Sequence, residues 1–505
     1  NDMRTLHIDL NGNAKPLDRF FAHCVGAGRA GEMLRAEALK QLTHLQNTCG
    51  FEYLRFHGLF SDDMAVCRLD REGKLLFNWQ YVDLVIDALL QRNIRPLVEL
   101  GFMPDCMKSG EETIFWWRGN VTPPKDMNQW HALVSAFTRH VTGRYGTDEV
   151  RRWYFEVWNE PNLKGFFTGT QEEYFALYDA SVDAVKAVDP AYRVGGPGTA
   201  GVDEGTWVAE LIAHCAKNHI PIDFVSTHAY GVEGHLDEFG NNRHRLEENR
   251  DCIIEEVLRA RNDVQNSAMP HLPVIFTEWS NSYSSRDNVH DSYITAPFIL
   301  YTLKRCRGLA QSMSYWTFTD IFEEAGPGPE PFHGGFGLMN IQGLCKPSFY
   351  AYRWLCDLPE NELATGDTDS YAAADDETVH VLLWDYTHPR QDADNQEYFI
   401  RDLPAKALDD AAVELEGLAS GDYSVETCRV GYRANDVYTL YLRAGLRDLM
   451  GRDTPAREQI EALREQTDGK PENVSALHVS ADGKAKLTVA IRENDVVRLI
   501  LRKNT

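Results

Sequence analysis

Between residues 20 and 357 the apolar positions follow two alternating rhythms. Short β-branched and aromatic runs lie at 20–25, 51–56, 95–100, 152–157, 192–196, 223–227, 273–277 and 312–318. After each comes a longer amphipathic stretch, at 31–48, 79–92, 128–145, 171–188, 205–218, 247–261, 291–308 and 347–357. Compact apolar runs read as strands and a 3.6-residue period reads as a helix with one buried face. Eight strand-then-helix units predict a parallel (β/α)8 barrel, with a doubly wound open sheet as the competing arrangement. The fourth helix carries its own stop signs: Thr170 and Glu173 form a capping box, and Asp189-Pro190 ends the segment where proline cannot continue it.

Beyond residue 358 the alternation stops. Runs at 377–384, 396–400, 423–430, 476–480, 486–492 and 496–502 read as strands separated by turn residues, which predicts an antiparallel β-sandwich. Two helical patterns interrupt it, at 436–450 and 456–466, the second expected to begin with Thr454 as cap and Pro455 at the first helical position. Near the amino end Leu6, Ile8 and Leu10 alternate with polar residues, so this strand is expected to join the C-terminal sheet. The expected organisation is a catalytic barrel over 16–358 and an accessory sandwich with short helices over 359–505, joined by an N-terminal strand within 1–15.

Composition narrows the chemistry. Against 51 basic residues stand 76 acidic ones, a net charge of −25, which repels polyphosphates and anionic lipid; neither nucleic acid nor a membrane surface is expected as a partner. No apolar run approaches the ~18 residues of a spanning helix. The ten cysteines include no Cys-x-x-Cys pair, and several lie in apolar runs, so reduced structural thiols and a cytoplasmic location are expected.

In a barrel of this type chemistry belongs at the carboxyl ends of the strands. The unusual residues collect there: Arg55-Phe56-His57, Trp158-Asn159-Glu160-Pro161, His228-Ala229-Tyr230, Thr277-Glu278-Trp279 and Trp316. Two glutamates at the tips of strands four and seven are the parts needed to cleave a glycosidic bond. Glu160 suits the acid: Pro161 stiffens its turn, and burial among Trp158 and Phe166 would raise its pKa. Glu278 suits the nucleophile, with Tyr230 and His228 placed to donate hydrogen bonds that keep it ionised. His57 and His228 have no third ligand at metal spacing, so no metal is expected. Asp62-Asp63 can cap a turn or pair with Arg55, and Trp116-Trp117, Phe166-Phe167 and Phe332 can stack on sugars or pack beneath loops.

These motifs, together with Phe56-His57-Gly58-Leu59-Phe60-Ser61-Asp62-Asp63-Met64, Thr227-His228-Ala229-Tyr230 and Thr319-Asp320-Ile321-Phe322-Glu323-Glu324, resemble glycoside hydrolase family thirty-nine, the β-xylosidases and α-L-iduronidases. The resemblance covers nearly the whole chain. It implies a retaining mechanism through a covalent glycosyl-enzyme with no metal or cofactor, Glu160 as acid/base and Glu278 as nucleophile. It also implies His57, Asn159, His228, Tyr230 and Glu323 as sugar contacts and Trp316 as an aromatic wall.

Charge separates the two branches. A uronide brings a carboxylate that needs a cation or a cluster of N–H donors. The segment 321–337 holds Glu323, Glu324 and Glu330 but no Lys or Arg, which favours a neutral sugar. The expected activity is an exo-acting β-xylosidase on short xylooligosaccharides. An iduronidase or endo-glycanase of the same clan is the first alternative, and a non-catalytic sugar-binding barrel the second.

Overall fold

The computed structural model describes residues 3–201, 207–447 and 455–505. Eight parallel strands close into a barrel: Cys24–Arg29, Tyr53–His57, Arg95–Leu100, Tyr154–Val157, Arg193–Thr199, Phe224–Tyr230, Val274–Ser280 and Ser312–Tyr315, neighbouring one another in chain order. The crossover helices Ala36–Thr48, Gln80–Gln91, Met127–Tyr145, Gln171–Lys186, Trp207–Asn218, Cys252–Gln265, Thr295–Cys306 and Pro347–Cys356 follow them in turn. The capping box at Thr170 is present, with Thr170 Oγ1 accepting from the Glu173 N–H at 3.2 Å.

Residues two apart on a strand share a face, so each inward-facing series can be followed up the barrel. Near the amino ends the interior is closed by Cys24, Tyr53, Leu97, Phe224 and Ile275, an apolar plug of its own. Two residues further on, the same faces carry Arg55, Glu99, Ser226 and Thr277, joined by Glu156. The interior thus passes from apolar to charged toward the strand tips. Outside, the helices bury a large apolar shell in which Trp130, Trp153 and Trp158 are fully enclosed. Truncating one such ring to alanine costs about 3–5 kcal/mol.

Seven antiparallel strands, Lys15–Pro16, Asn361–Leu363, Ser370–Ala374, Thr378–Trp384, Val496–Lys503, Gly421–Val430 and Asn473–Val479, form one sheet in that order. A smaller sheet of Thr5–Asp9, Ala411–Glu416 and Ala485–Val489 faces it. Leu6, Ile8, Val413 and Val489 pack against Val381, Leu383, Val425 and Leu499 between them, as a sandwich requires. The N-terminal strand does join the C-terminal sheets, through a parallel pairing with Ala411–Glu416.

Some sequence expectations need correction. The first strand begins at Cys24, because Phe20–Ala22 is a 3-10 turn started by Asp18, whose carboxylate accepts from the Phe20 N–H. Residues 396–400 are not a strand: Asn395–Tyr398 is a helical turn whose polar side chains serve neighbours, with Gln396 Oε1 accepting from the His244 N–H. The sixth helix begins at Cys252, five residues later than expected, since Asn242–Leu246 pairs with Val232–Leu236 as a hairpin. The seventh begins at Thr295, after a 3-10 turn capped by Asp287. Strands at 361–363, 370–374 and 411–416 escaped prediction; alanine-rich Ser370–Ala374 carries no β-branched residue to announce it.

The helix expected over 436–450 is present as Val437–Arg443, and 448–450 lie outside the described residues, as do 205–206 at the start of the fifth helix. The last helix starts at Arg457 with Ala456 as cap, so Pro455 precedes it; Thr454 lies outside the described residues. All ten cysteines are free, and the sulfurs of Cys67 and Cys106 lie 3.0 Å apart. Among the described residues no helix is long and apolar enough to cross a membrane.

Candidate active site

A cavity of about 540 Å³ opens at the carboxyl ends of the barrel strands. Of the residues singled out from sequence, His57, Asn159, Glu160, His228, Tyr230, Glu278 and Trp316 all line it. Glu323 does not. Its carboxylate is tied to Arg29 at 2.9 Å and Arg35 at 2.6 Å outside the cavity, and the neighbouring Glu324 takes its place in the wall. A one-residue register error along an irregular loop accounts for the mistake, because no periodicity there says which of two adjacent glutamates faces inward.

Glu160 reaches the cavity through an unusual turn. Trp158 and Glu160 both have positive φ, 72° and 45°, a conformation non-glycine residues seldom adopt and one that concentrates at functional sites. The turn is held because Trp158 is buried with its indole N–H donating to the Phe166 carbonyl at 2.7 Å, and the Glu160 N–H donates to the Gly198 carbonyl at 2.8 Å. Burial pushes the Glu160 carboxyl up to about 7; Arg55 and His57 oppose the rise while Glu99 and Glu156 add to it.

Glu278 stands on strand seven, where the pairing with strand six shifts register between Thr227 and His228. Its oxygens accept from Tyr230 Oη at 2.5 Å and from Arg55 Nη1 at 2.7 Å. Tyr230 makes the hydrogen bond to Glu278 that the sequence predicted. His228 does not: its Nδ1 lies 2.6 Å from Glu160 and 3.7 Å from Glu278. One oxygen each of Glu160 and Glu278, with a ring nitrogen of His228, fall within 4.8 Å of one another.

Those three atoms are close enough to hold a cation. Such an ion would have to compete with Arg55 and Tyr230 for Glu278, and with the short His228–Glu160 contact for the remaining ligands. The donor set is better matched to proton exchange than to metal binding.

The residue that sequence reasoning undervalued most is Arg55. Fully buried, it contacts Glu99 at 3.0 Å, Glu156 at 2.8 Å and Glu278 at 2.7 Å, and donates to Asn159 Oδ1 at 2.8 Å. Neither Asp62 nor Asp63 pairs with it; Asp63 binds Arg29 at 2.9 Å. Orienting Asn159 through its oxygen leaves Asn159 Nδ2 with no hydrogen-bond partner among the described residues, a free donor beside Glu160 and Glu278. The missed signal was available: Arg55, Glu99 and Glu156 are charged residues in otherwise apolar strands, and a buried charge needs a partner.

The remaining wall is aromatic and acidic. The Trp316 ring needs Gly26 beneath it, since a methyl there would sit 2.3 Å from the indole. His57 donates or accepts at Glu99 through Nδ1 at 2.7 Å and turns Nε2 toward Glu324, 3.8 Å away. Burial, then Arg55, holds His57 down at about 4, so the ring is neutral. Burial lifts the Glu324 carboxyl well above its ordinary range, and Glu278 and Glu160 reinforce the shift. Phe115 and Phe166 line the cavity, whereas Phe332 packs against Tyr438 and Tyr441 and Trp116 is exposed.

Comparison with known proteins places the chain and its fold in a family. The family model described as "Glycosyl hydrolases family 39" matches residues 4–484. A β-xylosidase of Caldicellulosiruptor saccharolyticus is 46% identical over 342 residues, 67% of this chain and 68% of that protein. The crystal structure of a GH39 enzyme from Xanthomonas axonopodis pv. citri superimposes with a TM-score of 0.96 at 44% identity, covering 100% of this chain and 98% of the other. That of a monomeric β-xylosidase from Caulobacter crescentus CB15 does so with a TM-score of 0.94 at 42% identity, covering 99% and 100%.

Proposed function

The chain belongs to glycosyl hydrolase family 39, and from that premise we propose that it is a retaining, exo-acting β-D-xylosidase that releases xylose from the non-reducing end of short xylooligosaccharides. In this reading the Glu160 carboxyl protonates the glycosidic oxygen while Glu278 attacks the anomeric carbon, giving a glycosyl ester. The Glu160 carboxylate then removes a proton from water, which displaces Glu278 and restores both groups.

The spacing of the pair supports double displacement. Retaining enzymes hold their carboxyls roughly 5–5.5 Å apart and inverting ones roughly 6.5–9.5 Å, leaving room for a water. One oxygen of each carboxyl lies within 4.8 Å of the other, a proximity compatible with the retaining spacing. Glu160, its carboxyl raised by burial, stands beside Glu278, which accepts hydrogen bonds from Tyr230 and Arg55; this is also the division of labour the reaction needs.

The observation that carries the choice of sugar is the charge of the wall. Glu160, Glu247, Glu256, Glu278 and Glu324 line the cavity, and among the described residues no Lys or Arg does. A uronide carboxylate would enter an acidic, partly dry cavity with no cation facing it, at a cost several kcal/mol above that of a neutral sugar. Named β-xylosidases among the relatives support the same choice. Hydroxyls, by contrast, find hydrogen-bond partners in Glu324, His57 Nε2 and the Asn159 Nδ2 donor. Ten free thiols fit a reducing compartment and support a cytoplasmic location.

A panel of aryl glycosides tests the reading. Turnover of the β-D-xyloside, with the β-anomer of xylose appearing first by proton NMR, is expected. Preference for an α-L-iduronide, or the α-anomer first, would overturn it.

A further inference from the structure

Behind Glu160 and Glu278 lies a hydrogen-bond chain whose inner members, Glu156 and Thr277, do not line the cavity. Thr277, adjacent to Glu278 on strand seven, places its hydroxyl 2.8 Å from Glu156 Oε2 and 3.0 Å from His228 Nε2. His228 Nδ1 in turn lies 2.6 Å from Glu160 Oε2. Glu156, Thr277 and His228 are fully buried, and neither Glu156 nor Thr277 is among the cavity-lining residues.

The contacts allow a neutral His228 facing a protonated Glu160 or an imidazolium facing a carboxylate, both with Nε2 protonated, and burial of the ring favours the neutral pair. Glu156 accepts from Arg55 Nε at 2.8 Å, and burial notwithstanding, Arg55 holds its carboxyl below the ordinary range; it is ionised and can only accept. The single proton of the Thr277 hydroxyl therefore points to Glu156, and the Thr277 oxygen must accept from His228 Nε2–H. Burial keeps the imidazole neutral, at about 4, so Nδ1 carries a lone pair. Two lone pairs cannot face each other at 2.6 Å; the proton between Nδ1 and Oε2 belongs to Glu160.

We infer that Thr277 and Glu156 are positioning residues which fix the Nε2–H tautomer of His228 and thereby keep Glu160 protonated in the free enzyme. The inference rests on the reading of Glu160 as acid/base. It explains how a carboxyl beside a guanidinium still holds a proton. After Glu160 has given that proton to the leaving group, the same Nδ1 lone pair faces its carboxylate and opposes the charge, which strengthens Glu160 as the base for water in the second step.

The other groups facing Glu160 stay constant in the test. They are Arg55 and His57 from strand two, Glu99 and Glu156 from strands three and four, and Tyr230, Glu278 and Glu324 from the tips of strands six to eight. Thr277→Val keeps the shape of the side chain and removes the hydroxyl. His228 Nε2–H then loses its acceptor, the Nδ1–H tautomer becomes competitive, and Nδ1–H stabilises the Glu160 carboxylate.

The basic limb of kcat/KM on an aryl β-D-xyloside with a poor leaving group is expected to move acidward by about one pH unit, a roughly tenfold loss above the wild-type limb. Thr277→Ser, which keeps the hydroxyl, is expected to retain the wild-type limb. A Thr277→Val enzyme slower at every pH with its limb unmoved would mean a merely structural role. Nitrogen-15 NMR of the wild-type protein, with His228 assigned by its loss in His228→Asn, reads the tautomer without substrate or turnover: protonated Nε2 and bare Nδ1 near neutral pH are expected. A protonated Nδ1 would overturn the inference even if xyloside hydrolysis stood. An enzyme inactive on xylosides with the expected imidazole signature would instead contradict the choice of substrate.

Discussion

Two clusters of buried charge lie within the barrel and differ in one respect. Lys346 sits with Asp291 at 2.7 Å and Asp320 at 2.8 Å, all three completely buried, and donates to the Gly335 carbonyl as well. The aspartates also accept from the Gly334 and Gly337 N–H groups, so the cluster clamps the strand-eight loop and its one excess negative charge is met by backbone donors, with none of its three side chains lining the cavity at the strand tips. Arg55 instead faces Glu99, Glu156 and Glu278, with Glu160 and Glu324 just beyond and a cavity in front. One guanidinium cannot compensate that many carboxylates in a site this dry. Protons make up the difference, with burial lifting Glu160 to about 7 and Glu99 to about 8. Buried charge alone does not mark an active site; a surplus of one sign facing a cavity does.

The comparison breaks most visibly at Glu278. Glu278→Ala should lower kcat on every substrate by on the order of 10⁴-fold or more while leaving the protein folded; wild-type turnover would remove it as the nucleophile. Glu160→Ala should cost about 10²–10⁴-fold on substrates with poor leaving groups and much less for the first step on activated ones, with azide restoring the second step. Loss of equal size on good and poor leaving groups would count against an acid/base role.

Lys346→Met addresses the other cluster. It strands two buried carboxylates and should destabilise the fold by about 3–5 kcal/mol in a denaturant titration, without moving the pH profile of the folded fraction. A shifted profile at full stability would reverse the roles assigned to the two clusters.

The smallest effect concerns the strain stored at Glu160. Its carboxyl binds a proton more tightly in the folded state, near 7, than at the ordinary 4.5 of an unfolded chain. Stability is therefore fully present below about 4.5, falls as pH rises through 7, and levels off above it. Glu160→Gln removes that penalty and should be more stable than wild type by on the order of 2–3 kcal/mol at pH 8, with the gain vanishing at pH 4. Equal melting temperatures at both pH values would contradict the raised pKa.

Much of this was legible in the chain. The eight-unit rhythm survives because each barrel strand and each crossover helix has its own apolar period, and Glu160 and Glu278 stand at strand tips flanked by Trp158, Pro161 and Trp279. What failed was local. Glu323 and Glu324 lie on a loop without periodicity, so the choice between them depended on Arg29 and Arg35, hundreds of positions away. The partners of Arg55 come from three other strands, and which carboxylates surround it depends on barrel closure. His228 was expected to donate to Glu278, and the 2.6 Å contact assigns it to Glu160 instead.

The central claim is that Glu278 attacks the anomeric carbon across the short gap to Glu160. Incubation with a 2-deoxy-2-fluoro-β-xyloside bearing an activated leaving group, followed by proteolysis and mass spectrometry, tests it directly. The fluoroxylosyl group is predicted on the peptide at Glu278; its appearance on another carboxylate, Glu324 included, would contradict the account.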